Sequence, residues 1–220
     1  MAGNRSALVW LIDGFVFLAS HRRIVVSLVL GAVLLIAGVT TCRHFQRAAR
    51  ATAWMDPEFS PLGKSIDEIL SHESDSLATK IPGAIAYQIK RKIDRRGVKT
   101  LSEAEGRFYA VYQLCAEARS RGFEEYFSSP AGDNVRIARD GFKEIGAIRT
   151  AAVVDRATAA FPGGDVPADL SQRRAVIART AASARPVWRK CDEEILRIDE
   201  PLKRLLLDYA KKKKSAFVLR

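Results

Sequence analysis

From residue 84 onward, apolar positions recur at helical spacing. Ile85, Ile89 and Ile93 stand four apart on one stripe, with Lys90, Arg91 and Arg95 elsewhere on the surface. Gly97 fits a C-cap. Thr100 with Glu103 and Ser102 with Glu105 are two overlapping capping-box arrangements that predict a new helix start. Phe108, Val111, Tyr112, Leu114 and Cys115 carry one face of that helix towards Arg119, and Gly122 marks the break. The stretch 122–133, GFEEYFSSPAGD, reads as a short helical turn and then a tight loop, with Asp133 placed to cap the following helix. Val135, Ile137, Ala138, Phe142 and Ile145 supply that helix's apolar face, and Gly146 ends it. An Ala-rich helix over 147–161 closes at Pro162-Gly163-Gly164. A helix over 171–184 follows and Pro186 interrupts it. A last pattern runs through Trp188, Ile195, Ile198, Leu202 and Leu205 and is kinked at Pro201. No alternating β-branched run occurs outside the N-terminal apolar stretch. The fold class expected is all-α, a bundle-like domain of five to seven helices over 84–210.

Upstream the pattern changes. Residues 24–42, IVVSLVLGAVLLIAGVTTC, hold no charge and as a helix extend about 28 Å, the thickness of a bilayer core. Arg22 and Arg23 stand before the run and Arg43 after it, the expected headgroup contacts. This predicts one transmembrane helix, preceded by a segment 1–23 whose apolar part, 7–19, lies in the interface or inserts as a second pass. Arginines near the span tie at three on each side, so orientation stays open, with a weak lean to a cytoplasmic domain. The expectation is a single-pass inner-membrane protein with the bilayer as one partner. Residues 43–83 read as a juxtamembrane linker and 211–220 as a basic tail.

Composition adds limits. The 220 residues are 48% hydrophobic and 28% charged, too apolar for a disordered chain. Net charge is +11, yet residues 101–200 hold 15 basic and 16 acidic residues, so the excess sits in the flanks. Lys211, Lys212, Lys213 and Lys214 admit three readings: a solvated tail, contact with anionic lipid, or weak nucleic-acid binding. Cys115 and Cys191 lie in the domain as buried apolar residues or a disulfide pair. His21, His44 and His72 pair with no Cys or Asp at ligand spacing, and no phosphate-loop, zinc-protease or serine-hydrolase motif occurs. No catalytic residue, metal or cofactor is expected.

Ser120, Arg121, Gly122, Phe123, Glu125, Tyr126, Phe127, Ser129 and Gly132, followed by Glu144-Ile145-Gly146-Ala147 and Phe161-Pro162, resemble the bacterial DNA-mimic-protein-like domain over about residues 100–210. The resemblance implies an all-helical domain of unknown function. Ser120-Arg121 replaces that family's Asn-Gly, Glu125 its Gln and Ser129 its Asn. Imitation of DNA by an acidic surface, ascribed to some members, needs a large negative field that a near-neutral domain with basic flanks lacks. Two readings of Phe123, Tyr126 and Phe127 stand. They plug the core with the Tyr hydroxyl hydrogen-bonded, or, with Glu125, Ser129 and Gly132, they form a partner groove beside the SSPAGD loop. The function expected is binding of a protein partner by a membrane-anchored domain. The alternatives are a structural, envelope-associated role without a specific ligand, and weak nucleic-acid or anionic-lipid binding through the flanks.

Overall fold

The computed structural model describes residues 62–74 and 78–219. Eight α-helices occur among them: α1 (Ile66–Leu70), α2 (Ile81–Arg96), α3 (Glu103–Arg121), α4 (Phe123–Phe127), α5 (Val135–Glu144), α6 (Ile148–Ala159), α7 (Leu170–Arg197) and α8 (Leu202–Lys212). No strand is present among the described residues.

Local chemistry sets most of these boundaries. Ser102 caps α3 with a full capping box, its hydroxyl accepting from the Glu105 amide while the Glu105 carboxylate accepts from the Ser102 amide. Gly97 ends α2 at φ +85°. At the end of α3 the chain turns through Gly122, at φ +88°, straight into α4. The first amide of α4, that of Phe123, donates to Asp192 Oδ1 of α7 at 2.8 Å. A Cβ at position 122 would lie 2.7 Å from that carboxylate, so conformation and close approach both require glycine.

Helix α3 is the hub, packed against α2, α4, α5, α7 and α8. A cluster of aromatic rings lies where α4, the turn after α6 and α7 meet. Phe127 stacks edge-on to Phe161 with centroids 4.9 Å apart, and Trp188 closes the triangle at 5.7 and 5.5 Å. The indole N–H of Trp188 donates to the Ala157 carbonyl of α6 at 2.9 Å, so this buried ring leaves no polar group unpaired.

Several expectations are corrected. The membrane span at 24–42 and its flanking Arg22, Arg23 and Arg43 lie outside the described residues, as does the interfacial segment 7–19. Among the described residues no helix is long and apolar enough to cross a membrane. The preceding transmembrane helix, the bilayer as partner and the single-pass placement are therefore withdrawn, and over the described residues the fold is a sheet-free helical bundle. The linker expected at 43–83 is folded from residue 62 on. Leu62, Ile66 and Ile69 enter the core, and Gln88 Nε2 donates to the Gly63 carbonyl at 2.9 Å.

The basic tail is likewise folded. Helix α8 extends to Lys212. Lys211 pairs with Glu73 at 2.8 Å, Lys213 with Glu144 at 3.7 Å and Lys214 with Asp67, and only Lys212 of the four makes no such contact with the described residues. Beyond them, Phe217 and Leu219 are buried and Val218 is bracketed by a buried ion pair. Lys92 Nζ donates to the Val218 carbonyl at 2.8 Å, the Val218 amide donates to Glu105 Oε1 at 2.9 Å, and Lys92 and Glu105 are 2.7 Å apart. Pro186 does not interrupt its helix. Helix α7 runs unbroken for 28 residues, because Ala184 before the proline and Trp188 and Cys191 after it pack into the core. The chain breaks instead at 198–201.

Candidate partner-binding site

The loop after α4 is built from inside the domain outward. Ser129 caps a 3₁₀ turn, Pro130–Asn134, by accepting from the Ala131 amide at 3.2 Å, and its hydroxyl lies 2.9 Å from the Tyr126 carbonyl. The turn passes directly into α5, so Asp133 does not cap that helix as expected. Asp133 meets Arg173 of α7 instead, at 2.5 Å.

Arg173 is fully buried, and each of its five N–H groups has an acceptor. Nε donates to the Phe127 carbonyl at 2.7 Å. Nη1 donates to the carbonyls of Pro167 at 2.6 Å and Ala168 at 3.0 Å. Nη2 donates to the Ser129 carbonyl at 3.0 Å and to Asp133. One guanidinium thus ties the end of α4, the SSPAGD loop and the approach to α7 into a single unit. Gly132 lies against this anchor. A Cβ there would sit 3.0 Å from Arg173 Nε and 3.1 Å from the Phe127 backbone.

The sequence-predicted site residues therefore divide. Phe123, Tyr126 and Phe127 are each 0% exposed and Gly132 is buried, so none presents a surface to a partner. The Tyr126 hydroxyl, expected to be hydrogen-bonded, is buried without a partner among the described residues, and burial pushes its pKa up. Ser129 is spent on the cap. Glu125 alone of the six is exposed. The aromatic segment is a scaffold, and the surface it supports lies beside it.

That surface is a groove of about 730 Å³ between α2, α3, α5 and the SSPAGD loop. Pro130 and Ala131 form one wall, Tyr109 and Gln113 of α3 line the groove, and Val98 and Ile137 stand at its edges. Val98 is 59% and Ile137 44% exposed, high for large apolar side chains. Charges around it are internally matched. Lys90 pairs with Asp94, Arg107 with Glu103 and Glu144, and Arg136 with Asp165. An apolar centre with a neutralised polar rim has the anatomy of a protein interface.

Burial pushes the Tyr109 phenol up, and it pushes the Cys115 thiol on the adjacent face of α3 up to about 12. Cys115 and Cys191 are free thiols, and among the described residues no group of three or more His, Cys, Asp or Glu could hold a metal. His72 is the one histidine described.

Sequence reasoning missed Arg173, Val98 and Ile137. Arg173 carried a readable signal. It lies four residues before Ile177, on the face of α7 that continues through Ala184, Trp188 and Ile195, and a charge on a core stripe needs buried partners. Ile137 was assigned to the core face of α5, whereas Val135, Ala138 and Phe142 fill that role. The family model described as DMP19-like protein matches residues 99–213. No curated protein and no solved structure matches the chain.

Proposed function

The chain belongs to the DMP19-like protein family, and we propose that it acts by binding another protein through the groove beside the SSPAGD loop, and not by catalysis. One observation carries this reading: two exposed apolar side chains, Val98 and Ile137, border a groove whose wall is fixed from beneath by the five bonds of Arg173. A wall held in this way needs little further ordering when a partner binds. Imitation of DNA forms no part of the proposal. Residues 62–219 carry 29 Lys and Arg against 22 Asp and Glu, and many of those carboxylates are paired with neighbouring cations.

The test uses the full chain as bait for affinity capture from its own cells, beside Val98→Glu and Ile137→Glu. Both side chains are exposed, so each variant should keep its stability to within about 0.5 kcal/mol. A captured protein lost from both variants supports the groove. Equal capture by wild type and variants excludes it.

A further inference from the structure

A second groove lies on the adjacent face of α3. Tyr112, Cys115 and Ala116 of α3 face Leu202 and Leu206 of α8 across a space of about 700 Å³. Its walls are mostly apolar, and it is partly open to solvent. Two cations stand on its rim, Arg119 at the end of the α3 wall and Lys203 on α8. Both are exposed, and neither makes a hydrogen bond or ion pair with the described residues.

The one carboxylate among the described lining residues does not offset them. Glu200 accepts from the amides of Arg149 and Thr150 at 2.7 and 2.9 Å and from the Thr150 hydroxyl at 2.6 Å, so it is committed to the start of α6. Arg204, the third cation of the lining, is already matched by Asp208 at 3.1 Å and Glu73 at 3.8 Å. What remains among the described residues is an apolar trough with two positive charges that none of them compensates. From Tyr112 to Arg119 the α3 wall runs about 10 Å, roughly two helical turns.

We propose that this groove takes an amphipathic helix of a partner protein, with apolar side chains over two turns and acidic residues along its flanks. Helix-in-groove recognition places i, i+4 and i+7 anchors in such a trough, and rim charges select the sign of the flanks. The chain's own residues 43–54 do not match. Residues 43–54 carry Arg43, Arg47 and Arg50 and no acid, the same sign as the rim. A second copy is disfavoured too, because residues 62–219 carry a net positive charge. This site is separate from the groove edged by Val98 and Ile137 and stands or falls independently of it.

The test measures fluorescence anisotropy with the full chain and two labelled helical peptides of about 18 residues. Both carry Leu at i, i+4 and i+7; one has Glu flanks and the other Lys flanks. The Glu peptide should bind saturably and at least about tenfold more tightly than the Lys peptide, and its binding should weaken as salt rises. Arg119→Glu combined with Lys203→Glu should lower its affinity about tenfold or more and favour the Lys peptide. Ala116→Trp, which fills the trough, should abolish binding of both, while Ile137→Glu should change nothing. Absence of saturable binding, equal affinity for the two peptides, or indifference to the rim reversal overturns the proposal. Displacement of the Glu peptide by one equivalent of palmitate also overturns it, assigning the groove to a small apolar anion.

Discussion

Replacing Arg173 by Met keeps an apolar stem in place and removes five donors. The cost follows from where each acceptor sits. The bond to the Phe127 carbonyl is buried, so that oxygen is stranded, which costs about 1–3 kcal/mol. The carbonyls of Ser129, Pro167 and Ala168 are only partly buried. Water replaces the guanidinium there, leaving a loss of roughly 0.5–1 kcal/mol each. The Asp133 side chain is 51% exposed and returns to solvent with little penalty. The total falls at about 2.5–6 kcal/mol, which brackets the usual cost of breaking a buried charged contact. For a domain of this size that lowers Tm by roughly 5–24 °C. Arg173→Lys should lose most of the same stability, because a point charge cannot reach the carbonyls of Phe127 and Pro167 together. Thermal unfolding reports the stability, and hydrogen exchange at residues 128–134 reports the loop. A Tm for Arg173→Met within roughly 2 °C of wild type would refute the anchor.

Two glycines should respond with opposite sign. Gly132→Ala pushes a methyl against the Phe127 backbone and should destabilise by about 1–3 kcal/mol, whereas Gly106→Ala, in open space within α3, should stabilise by about 0.5–1 kcal/mol; chemical denaturation measures both. Glu105→Gln leaves Lys92 buried without its counter-charge and weakens the hold on Val218. It should cost about 3–5 kcal/mol and expose the 217–219 segment to carboxypeptidase. Glu200 gives a pH signature. Desolvation is the largest single influence and raises its pKa, but the bonds from Thr150 and Arg149 outweigh it and hold the carboxylate below its ordinary value. A depressed folded pKa contributes stability that is present above about pH 4 and lost as pH falls through the folded value. Glu200→Gln should therefore flatten the acid limb of the Tm-against-pH curve, and an unchanged limb would refute the assignment.

Features written in short-range chemistry were legible in the sequence. The Ile85, Ile89 and Ile93 stripe, the Ser102–Glu105 box and the stops at Gly97 and Gly122 each depend on residues within a turn or two, and the structure has them where the pattern puts them. Features that depend on contacts distant in sequence were not legible. Arg173 acts on the carbonyls of Phe127 and Ser129, more than forty positions away, and Lys92 and Glu105 act on Val218 across more than a hundred. Pro186 looked like a break because its local rule is strong, and packing of Trp188 and Ala184 overrides it. The aromatic segment was conspicuous because it is dense. Density of that kind marks a core as readily as a surface, and burial decided between the two. The grooves were invisible because each is a gap between elements that no single stretch encodes.

The most direct test of partner binding beside the SSPAGD loop is site-specific photocrosslinking in living cells. A photoreactive amino acid replaces Ile137 in the full chain, and a second variant carries it at Arg189, an exposed position on α7 outside the groove lining. A discrete crosslinked protein band from position 137, absent at 189 and abolished by adding Val98→Glu, is the expected result. Identical patterns from both positions, or no adduct at 137, would contradict binding at this surface.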